Sequence, residues 1–309
     1  MMAAIPWMQE GPFGVMVHWT WRTQPRVAPG QPDWNRRVAD FPVERFVDGL
    51  CEAGAAWLIF TVGHCGDYFC APNAALERYF PGHCSERDLV ADLSAALQAR
   101  GRHLIVYFQT EIDHESDAFR EAFGWDLDRR DKSVFMERWR EVVSTYARGW
   151  GRAVDGWWFD SCYDMTGERH KRTSGWDNSR FDLPRWFAAA RAGNPEALVA
   201  MNMGVNDVRH EALTPLQDYL AGEANTLAVR PEGPLQDGMQ WHSLIWLDCP
   251  WGHFEQPGEI CGPRFPDEEL QEYLDDCRQH GGGVTFNVGV YQDGSLAEGT
   301  MAQLGRLRK

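Results

Sequence analysis

Short apolar runs and amphipathic segments alternate along this chain, and the alternation restricts the folds open to it. Eight apolar runs have the length and composition of buried β-strands: residues 13–19, 56–64, 104–109, 156–160, 198–202, 218–223, 244–248 and 284–288. Segments with helical spacing of apolar residues lie between many of them: 43–53, 87–99, 133–150, 184–192, 268–279 and 297–307. Strands that alternate with helices indicate parallel β-α units, and eight units predict a closed (β/α)8 barrel of the TIM type, in the α/β class.

Two connections depart from this pattern. The stretches after the fifth and sixth predicted strands lack a clear helical periodicity, so we expect the barrel to be irregular there. The chain has 309 residues, and such a barrel typically needs about 250. Because no repeat of fixed period and no Ser/Gly-rich linker interrupts the chain, residues 1–309 are interpreted as a single catalytic domain.

Net charge and cysteine usage narrow the classes of function. The formal net charge is −15 without an offsetting block of Lys and Arg, which argues against a nucleic acid or an anionic membrane as partner. Apolar runs stay well below the roughly 18 residues of a membrane span, and the N-terminus lacks a signal-peptide pattern. We therefore expect a cytoplasmic protein. Its 8 cysteines are then expected to be mostly reduced, buried thiols.

The predicted strands end in polar residues. At or near their carboxyl ends stand His18, His64, Gln109, Asp160, Asn202, Glu223, Asp248 and Asn287. Active sites of TIM barrels lie at that end of the strands, where the following loops meet. The sequence therefore predicts that these side chains surround one active site.

Two carboxylates that face each other across such a site suit glycosidic-bond cleavage, because one can attack the anomeric carbon while the other protonates the leaving oxygen. The best pair is Asp160 as nucleophile and Glu223 as acid/base. Trp158 lies two positions before Asp160 and shares its face of the strand. Few charges flank Glu223, and desolvation favours the protonated form that a general acid needs. Asp248 and Glu232 are reserve candidates for the acid.

Six segments in chain order resemble the signatures of α-L-fucosidases of glycoside hydrolase family 29. They are Phe-Gly-Val-Met-Val-His-Trp at 13–19, Gly-His-Cys-Gly-Asp-Tyr-Phe at 63–69, Trp-Trp-Phe-Asp at 157–160, Asp-Tyr-Leu-Ala-Gly-Glu at 218–223, Trp-Gly-His at 251–253 and Gly-Gly-Gly-Val-Thr-Phe-Asn-Val-Gly at 281–289. The resemblance implies a retaining exo-glycosidase on a barrel, with Asp160 as nucleophile. It also implies contacts to the terminal sugar from His18, His64, Tyr107 and Trp158.

Departures from the family pattern bear on the identity of the sugar. Cys65 stands where the family usually has a second His, and a thiol is a poor donor to a sugar hydroxyl. His253 replaces the Tyr of the family's Trp-Gly-Tyr, and no room is left for the C-terminal β-sandwich that members often carry. Fucose is the leading candidate for the terminal sugar of the substrate, followed by a related pyranoside such as galactose or arabinopyranose. The remaining candidates for substrate contacts are Trp19, Trp34, Cys65, Asn202, Trp251 and His253.

Two alternatives stay open. A zinc-dependent hydrolase is suggested by imidazoles and thiols at His64, Cys65, Cys70, His83 and Cys84, although their spacing contains no Cys-x-x-Cys pair. The other alternative is a barrel that binds carbohydrate without turnover. The leading interpretation requires no metal and no cofactor, and its partner is a small carbohydrate or glycoside. It leaves the oligomeric state open.

Overall fold

The computed structural model describes residues 4–126, 131–162 and 181–307, and parallel strands dominate this part of the chain. The strands are β1 (Gly14–Val17), β2 (Trp57–Thr61), β3 (His103–Gln109), β4 (Gly156–Asp160), β5 (Leu198–Met201), β6 (Glu223–Ala224), β7 (Leu235–Gln236), β8 (Met239–Gln240), β9 (His242–Trp246) and β10 (Gly283–Asn287). Eight of them form one sheet in the order β5-β4-β3-β2-β1-β10-β9-β6. Every pairing within that sheet is parallel, as β-α units require.

Helices connect many of the strands. They are α1 (Pro6–Glu10), α2 (Trp34–Ala39), α3 (Val43–Ala53), α4 (Ala74–Tyr79), α5 (Leu89–Gln98), α6 (Asp117–Phe123), α7 (Ser133–Trp150), α8 (Leu183–Ala190), α9 (Asp267–Gln279) and α10 (Glu298–Arg306). Local signals set several of their ends. The side chain of Asp88 accepts a hydrogen bond from the Ala91 N–H at the start of α5, and Gly54, with φ 100°, ends α3.

The irregular side of the barrel lies between β5 and β9, as the sequence predicts. The predicted sixth strand is regular only at Glu223–Ala224, where β6 pairs with β9. Before it, the Asp218 N–H donates to the Val199 carbonyl at 2.9 Å and links the segment to β5. An antiparallel hairpin of β7 and β8, which the periodicity does not predict, occupies the connection that lacks a helix. The curled parallel sheet is that of a (β/α)8 barrel.

Side chains of the sheet alternate between two buried layers. Along β3, Ile105 and Tyr107 join the inner layer, whereas Leu104, Val106 and Phe108 pack towards the helices. Because both faces of the strand are covered, its sequence is almost continuously apolar. The same alternation along β4 sends Trp158 to the inner layer, so Asp160, two positions on, ends the strand on that side.

Neither a membrane-spanning helix nor a β-sandwich is found among residues 4–126, 131–162 and 181–307. In that part of the chain, none of the helices combines the length and apolar character that crossing a bilayer demands. After β10, the described residues up to 307 form a short loop and α10. The predicted lack of a sandwich therefore holds for the described residues.

Candidate active site

The two predicted catalytic carboxylates open into one cavity. It has a volume of about 330 Å³ and lies at the end of β4 and the start of β6. Its lining consists of His18, Arg22, His64, Cys65, His114, Trp158, Asp160, Ser161, Glu223, Pro250, Trp251 and Phe254. Besides Asp160 and Glu223, five predicted site residues line this cavity and two more, Tyr107 and Asn202, contact Asp160 from behind its wall.

Asp160 is buried, and both of its carboxylate oxygens accept hydrogen bonds. Oδ2 accepts from the Tyr107 hydroxyl at 2.5 Å, and Oδ1 accepts from Asn202 Nδ2 at 2.8 Å. Tyr107 is opposite Trp158 in the β3–β4 register, and their rings stack with centroids 5.3 Å apart. The Trp158 indole N–H in turn donates to the Ala221 carbonyl at 3.3 Å. Packed aromatic rings and two donors thus orient the Asp160 carboxylate.

Glu223 reaches the cavity because the chain bends sharply just before it. Gly222 has φ 68°, and a Cβ at that position would lie 2.0 Å from the His242 carbonyl oxygen. Only glycine fits this approach, which allows Glu223 to enter β6 beside β9. The Glu223 carboxylate accepts a hydrogen bond from Asn202 Nδ2, the same nitrogen that donates to Asp160. One amide therefore joins the two carboxylates.

His18 is held in a neutral state with a defined tautomer. Its Nδ1 lies 2.8 Å from Oδ1 of Asn287, whose Nδ2 donates to the Trp251 carbonyl at 2.8 Å. Since the amide oxygen can only accept, His18 Nδ1 carries the proton and Nε2 is the acceptor. Burial, with a smaller effect from nearby His64, lowers the pKa of His18 to about 4. The ring is therefore uncharged at neutral pH.

A hydrogen-bond chain behind His64 reaches a second buried acid. His64 Nδ1 lies 3.0 Å from Gln109 Oε1 and 3.1 Å from the Tyr107 hydroxyl. Gln109 Nε2 donates to Glu115 at 2.7 Å, and burial raises the pKa of that carboxyl to about 7. Cys65 Sγ lies 3.1 Å from His64 Nε2, and burial raises the thiol pKa to about 12, so it stays protonated.

Backbone strain is concentrated at the cavity wall. Five non-glycine residues of the described chain have a positive φ, and three of them line the cavity: Cys65 (51°), Ser161 (64°) and Trp251 (60°). Each costs on the order of 1 kcal/mol or more and persists only where surrounding contacts impose it. Such residues cluster at functional sites, which is consistent with the position of this cavity.

Three predicted substrate contacts lie elsewhere. Trp19 and Trp34 are buried and stack on each other with centroids 5.1 Å apart in the layer between sheet and helices. The prediction that Trp19 contacts the substrate is corrected here: His18 faces the cavity, and strand alternation turns the next residue, Trp19, away from it. His253 packs edge-on against Tyr291 at 5.5 Å and is outside the cavity lining. Asn202 and Tyr107 lie behind the cavity wall and are connected to the cavity by their hydrogen bonds to Asp160.

The reserve acids are not in the cavity. Asp248 is buried, and its Oδ1 accepts from the Cys249 and Gly289 N–H groups at 2.8 Å each. Burial raises the pKa of Asp248, but its carboxylate supports the backbone rather than the cavity wall. Glu232 is exposed in the loop before β7. Of the three candidates for the acid, only Glu223 lines the cavity together with Asp160.

The five residues of the zinc alternative do not converge. Across the described ranges, three or more His, Cys, Asp or Glu ligand atoms within 4.8 Å of one another occur only at Glu111, Asp113 and His114. Cys70, one of the five, is buried and donates its thiol to the Thr61 carbonyl. His83 packs instead against the rings of Tyr68 and Phe80.

Several residues at the site carry no signal in the sequence. Arg22, Ser161 and Phe254 line the cavity from loops, where no periodicity indicates which way a side chain points. Glu115 lies in another loop and is connected to His64 only through Gln109. Gln109, which joins Glu115 to His64, does have a signal, because it is one of the polar strand ends.

The barrel and its paired carboxylates beside Trp and His define the class of protein as a glycoside hydrolase. The family model described as Alpha-L-fucosidase matches residues 30–308. The chain belongs to the α-L-fucosidase family, which confirms the family that the sequence resembles, and five of the six segments lie within the matched residues.

Solved structures with the same fold share little sequence with this chain. An endo-fucoidan hydrolase from glycoside hydrolase family 107 has a TM-score of 0.68 at 13% identity, covering 99% of this chain and 93% of that one. Alpha-L-fucosidase isoenzyme 1 from Paenibacillus thiaminolyticus has a TM-score of 0.67 at 18% identity, covering 98% and 74%. Alpha-L-fucosidase AlfC from Lactobacillus casei, in complex with α-L-fucose product, has a TM-score of 0.64 at 14% identity, covering 98% and 96%. These similarities establish the fold, and no curated protein sequence matches significantly.

Proposed function

We propose that this protein is a retaining exo-α-L-fucosidase in which Asp160 is the nucleophile and Glu223 the acid/base. The observation that carries the proposal is the shared donor, Asn202 Nδ2, between the two carboxylates. Two oxygens that accept from one nitrogen lie at most about 6 Å apart. Retaining glycosidases hold their carboxyl groups about 5–5.5 Å apart, whereas inverting enzymes need about 6.5–9.5 Å. The shared amide therefore favours retention.

In the first step, an Asp160 oxygen attacks the anomeric carbon while the glycosidic bond breaks. Protonated Glu223 gives its proton to the departing oxygen, so the products are a covalent glycosyl-Asp160 ester and a neutral alcohol. In the second step, the Glu223 carboxylate takes a proton from water, whose oxygen displaces Asp160. The sugar leaves with its original anomeric configuration, and both carboxyl groups return to their starting states.

The cavity suits one sugar residue. Its volume of about 330 Å³ is at the lower end of the range of roughly 300–1,000 Å³ for small-molecule sites. The Trp158 indole offers an apolar surface to a sugar ring, while His18 and His64 offer hydrogen bonds to hydroxyl groups. A site of this size favours removal of a terminal sugar over cleavage within a chain.

Fucose is the sugar that the family assignment supports best. The Lactobacillus casei relative was solved with α-L-fucose as product, and its barrel is similar along 98% of this chain. The neutral His18 and the protonated Cys65 thiol are compatible with an uncharged deoxy sugar. A related pyranoside, such as a galactoside or an arabinopyranoside, is the alternative that a substrate panel distinguishes.

The test is turnover of aryl glycosides by the purified protein. We expect release of the aryl alcohol from an α-L-fucoside, with proton NMR showing the α-anomer of fucose as the first product. Asp160→Asn is expected to lower kcat/KM by at least about 1,000-fold. Glu223→Gln should impair substrates with poor leaving groups far more than activated ones, because only the former need protonation. Glu232→Gln, which alters an exposed acid, is the matched control.

Three results would contradict the proposal. First formation of the β-anomer would exclude Asp160 as a nucleophile, even if hydrolysis occurs. Faster turnover of α-galactosides or arabinopyranosides than of the fucoside would show that fucose is not the preferred sugar. It would not contradict the proposed mechanism. Full activity of Glu223→Gln on an unactivated fucoside would remove Glu223 from the acid/base role.

A further inference from the structure

A second cavity adjoins the proposed catalytic one. It has a volume of about 520 Å³ and shares Arg22 and Phe254 with the first. Its lining, which we call the outer groove, consists of Trp21, Arg22, Thr23, Gln24, Pro25, Ala28, Pro29, Gly30, Gln31, Pro32, Arg37, Phe254, Pro257 and Gln292. A ligand that fills the catalytic cavity and extends past Arg22 enters this groove.

The wall between the two cavities is built from segments tied together by their backbones. The Gln24 N–H donates to the His253 carbonyl at 2.8 Å, and the Gly258 N–H donates to the Pro25 carbonyl at 3.2 Å. Phe254 lies so close to Gly252 that a Cβ there would be 2.2 Å from its ring. The Arg22 guanidinium carbon is 5.5 Å from the centre of the Phe254 ring. These contacts position Arg22 on the boundary.

The outer groove has a charge opposite to that of the whole protein. The chain carries a net charge of −15, yet the described residues that line the groove include two arginines and no Asp or Glu. Arg37 is buried, and its guanidinium donates to the Trp21 and Gln31 carbonyls at 2.7 Å each. Because these carbonyls carry no net charge, the Arg37 guanidinium adds a positive contribution to the potential in the groove.

Arg22 is the cation best placed to meet a ligand. It is exposed, and within the described part of the chain its guanidinium contacts the Phe254 ring without an ion pair to a carboxylate. Its charge also reaches the catalytic cavity: burial is the main cause of the lowered pKa of His64 and the raised pKa of Cys65, and the Arg22 charge adds to the first effect and opposes the second. A guanidinium stacked on an aromatic ring keeps its edge N–H groups available for a planar anion.

We infer that the outer groove is the leaving-group subsite and that Arg22 recognises an anionic substituent there, a carboxylate or a sulfate ester. This inference rests on the proposed hydrolase function, because only a hydrolase has a leaving group. It adds a class of substrate: fucosides whose next sugar or aglycone carries a negative charge. The charge of Arg37 adds to the positive potential in the groove, and the Phe254 ring orients the Arg22 guanidinium.

The test compares a charged substrate with a neutral one of similar shape. The pair is 4-carboxyphenyl α-L-fucoside and its methyl ester, and 4-(sulfooxy)phenyl α-L-fucoside, which carries a sulfate ester, distinguishes sulfate from carboxylate. We expect Arg22→Gln to lower kcat/KM for the anionic substrates relative to the ester by about fivefold, the size of one exposed charge pair. Because both substrates carry the same fucosyl group, an effect of the substitution on the catalytic cavity changes both values and cancels in their ratio. Arg22→Lys should retain part of the preference, because the positive charge remains.

The two substrates differ in the acidity of their leaving groups. This difference is the same for every variant, so it cancels when the ratio of their kcat/KM values is compared between variants. Arg45→Gln, an exposed arginine on α3 away from both cavities, should leave the ratio at the wild-type value. An unchanged ratio in Arg22→Gln, with normal turnover of the ester, would overturn the subsite and leave the hydrolase proposal standing. Turnover of neither substrate would contradict the proposed function and the subsite together.

Discussion

Nδ2 of Asn202 lies 2.8 Å from Oδ1 of Asp160 and also donates to the Glu223 carboxylate. An amide with two N–H groups can serve two acceptors at once, so this side chain sets the separation of the proposed nucleophile and acid/base. Asn202 follows β5, whereas Asp160 ends β4 and Glu223 begins β6. The site therefore depends on three consecutive units of the barrel.

Replacement of the shared donor tests this relationship. Asn202→Ala removes hydrogen bonds to two buried carboxylates, each worth about 1.5–3 kcal/mol because the acceptor is charged. We expect kcat/KM for an aryl α-L-fucoside to fall about 100-fold or more. The control is Asn35→Ala, which deletes a hydrogen bond to the Glu86 N–H on the surface. Equal effects of the two variants would show that Asn202 has no special role.

The Tyr107 hydroxyl is predicted to act on turnover more than on stability. Tyr107→Phe removes the donor to Asp160 but keeps the ring that stacks on Trp158. We expect a loss of about 10- to 100-fold in kcat/KM, with a loss of stability on the order of 1 kcal/mol, as for other buried hydroxyl groups. Tyr219→Phe is matched, since its hydroxyl donates to the Trp157 carbonyl at 3.0 Å in the same inner layer. That variant should lose about 1 kcal/mol of stability and keep its turnover.

Substitution of two glycines distinguishes the energetic cost of backbone strain from the cost of a steric clash. Gly222 and Gly238 have φ 68° and φ 84°, but only the Cβ of Gly222→Ala would meet an atom, the His242 carbonyl oxygen at 2.0 Å. We expect Gly238→Ala to cost about 1 kcal/mol in the free energy of unfolding and Gly222→Ala clearly more. Chemical denaturation measures both. Because Glu223 is adjacent, Gly222→Ala should also lose turnover, and similar costs for both variants would contradict this account.

Buried histidines are predicted to make stability fall in acid. Burial lowers the pKa of His18 and of His242 to about 4, against an unfolded value near 6.5. The unfolded state therefore binds more protons between these values, so this stability is fully present above about pH 6.5 and declines as the pH falls towards 4. Each group contributes on the order of 2 kcal/mol between pH 7 and pH 5.

Urea denaturation at pH 7 and pH 5 checks this prediction. His242→Gln should reduce the difference between the two values, because glutamine does not titrate. Tyr219→Phe alters the neighbouring ring, which lies 5.5 Å from His242, without removing a histidine, and should keep the wild-type difference. A difference that is unchanged in His242→Gln would show that this imidazole does not contribute.

Regular local patterns determined much of the architecture. The predicted bounds 43–53 and 133–150 coincide with α3 and α7, because apolar spacing of three and four residues records which face a helix buries. Likewise, the two-residue period of a strand predicted that Asp160 and Trp158 face the same side of the sheet. The same period places Trp19 opposite to His18, and the structure buries Trp19 between the sheet and the helices, outside the cavity lining.

By itself, then, the sequence determined the order of β-α units, the strand ends that carry polar groups, and Asp160 with Glu223 as the acids to consider. Only the tertiary structure decided that Asn202 joins those acids, that Trp34 and His253 lie outside the cavity, and that Arg22 stands between two cavities. The physical reason is the range of the interactions. Periodicity reports local burial, whereas hydrogen bonds across 42 and 21 positions and the direction of loop side chains depend on how the whole barrel closes.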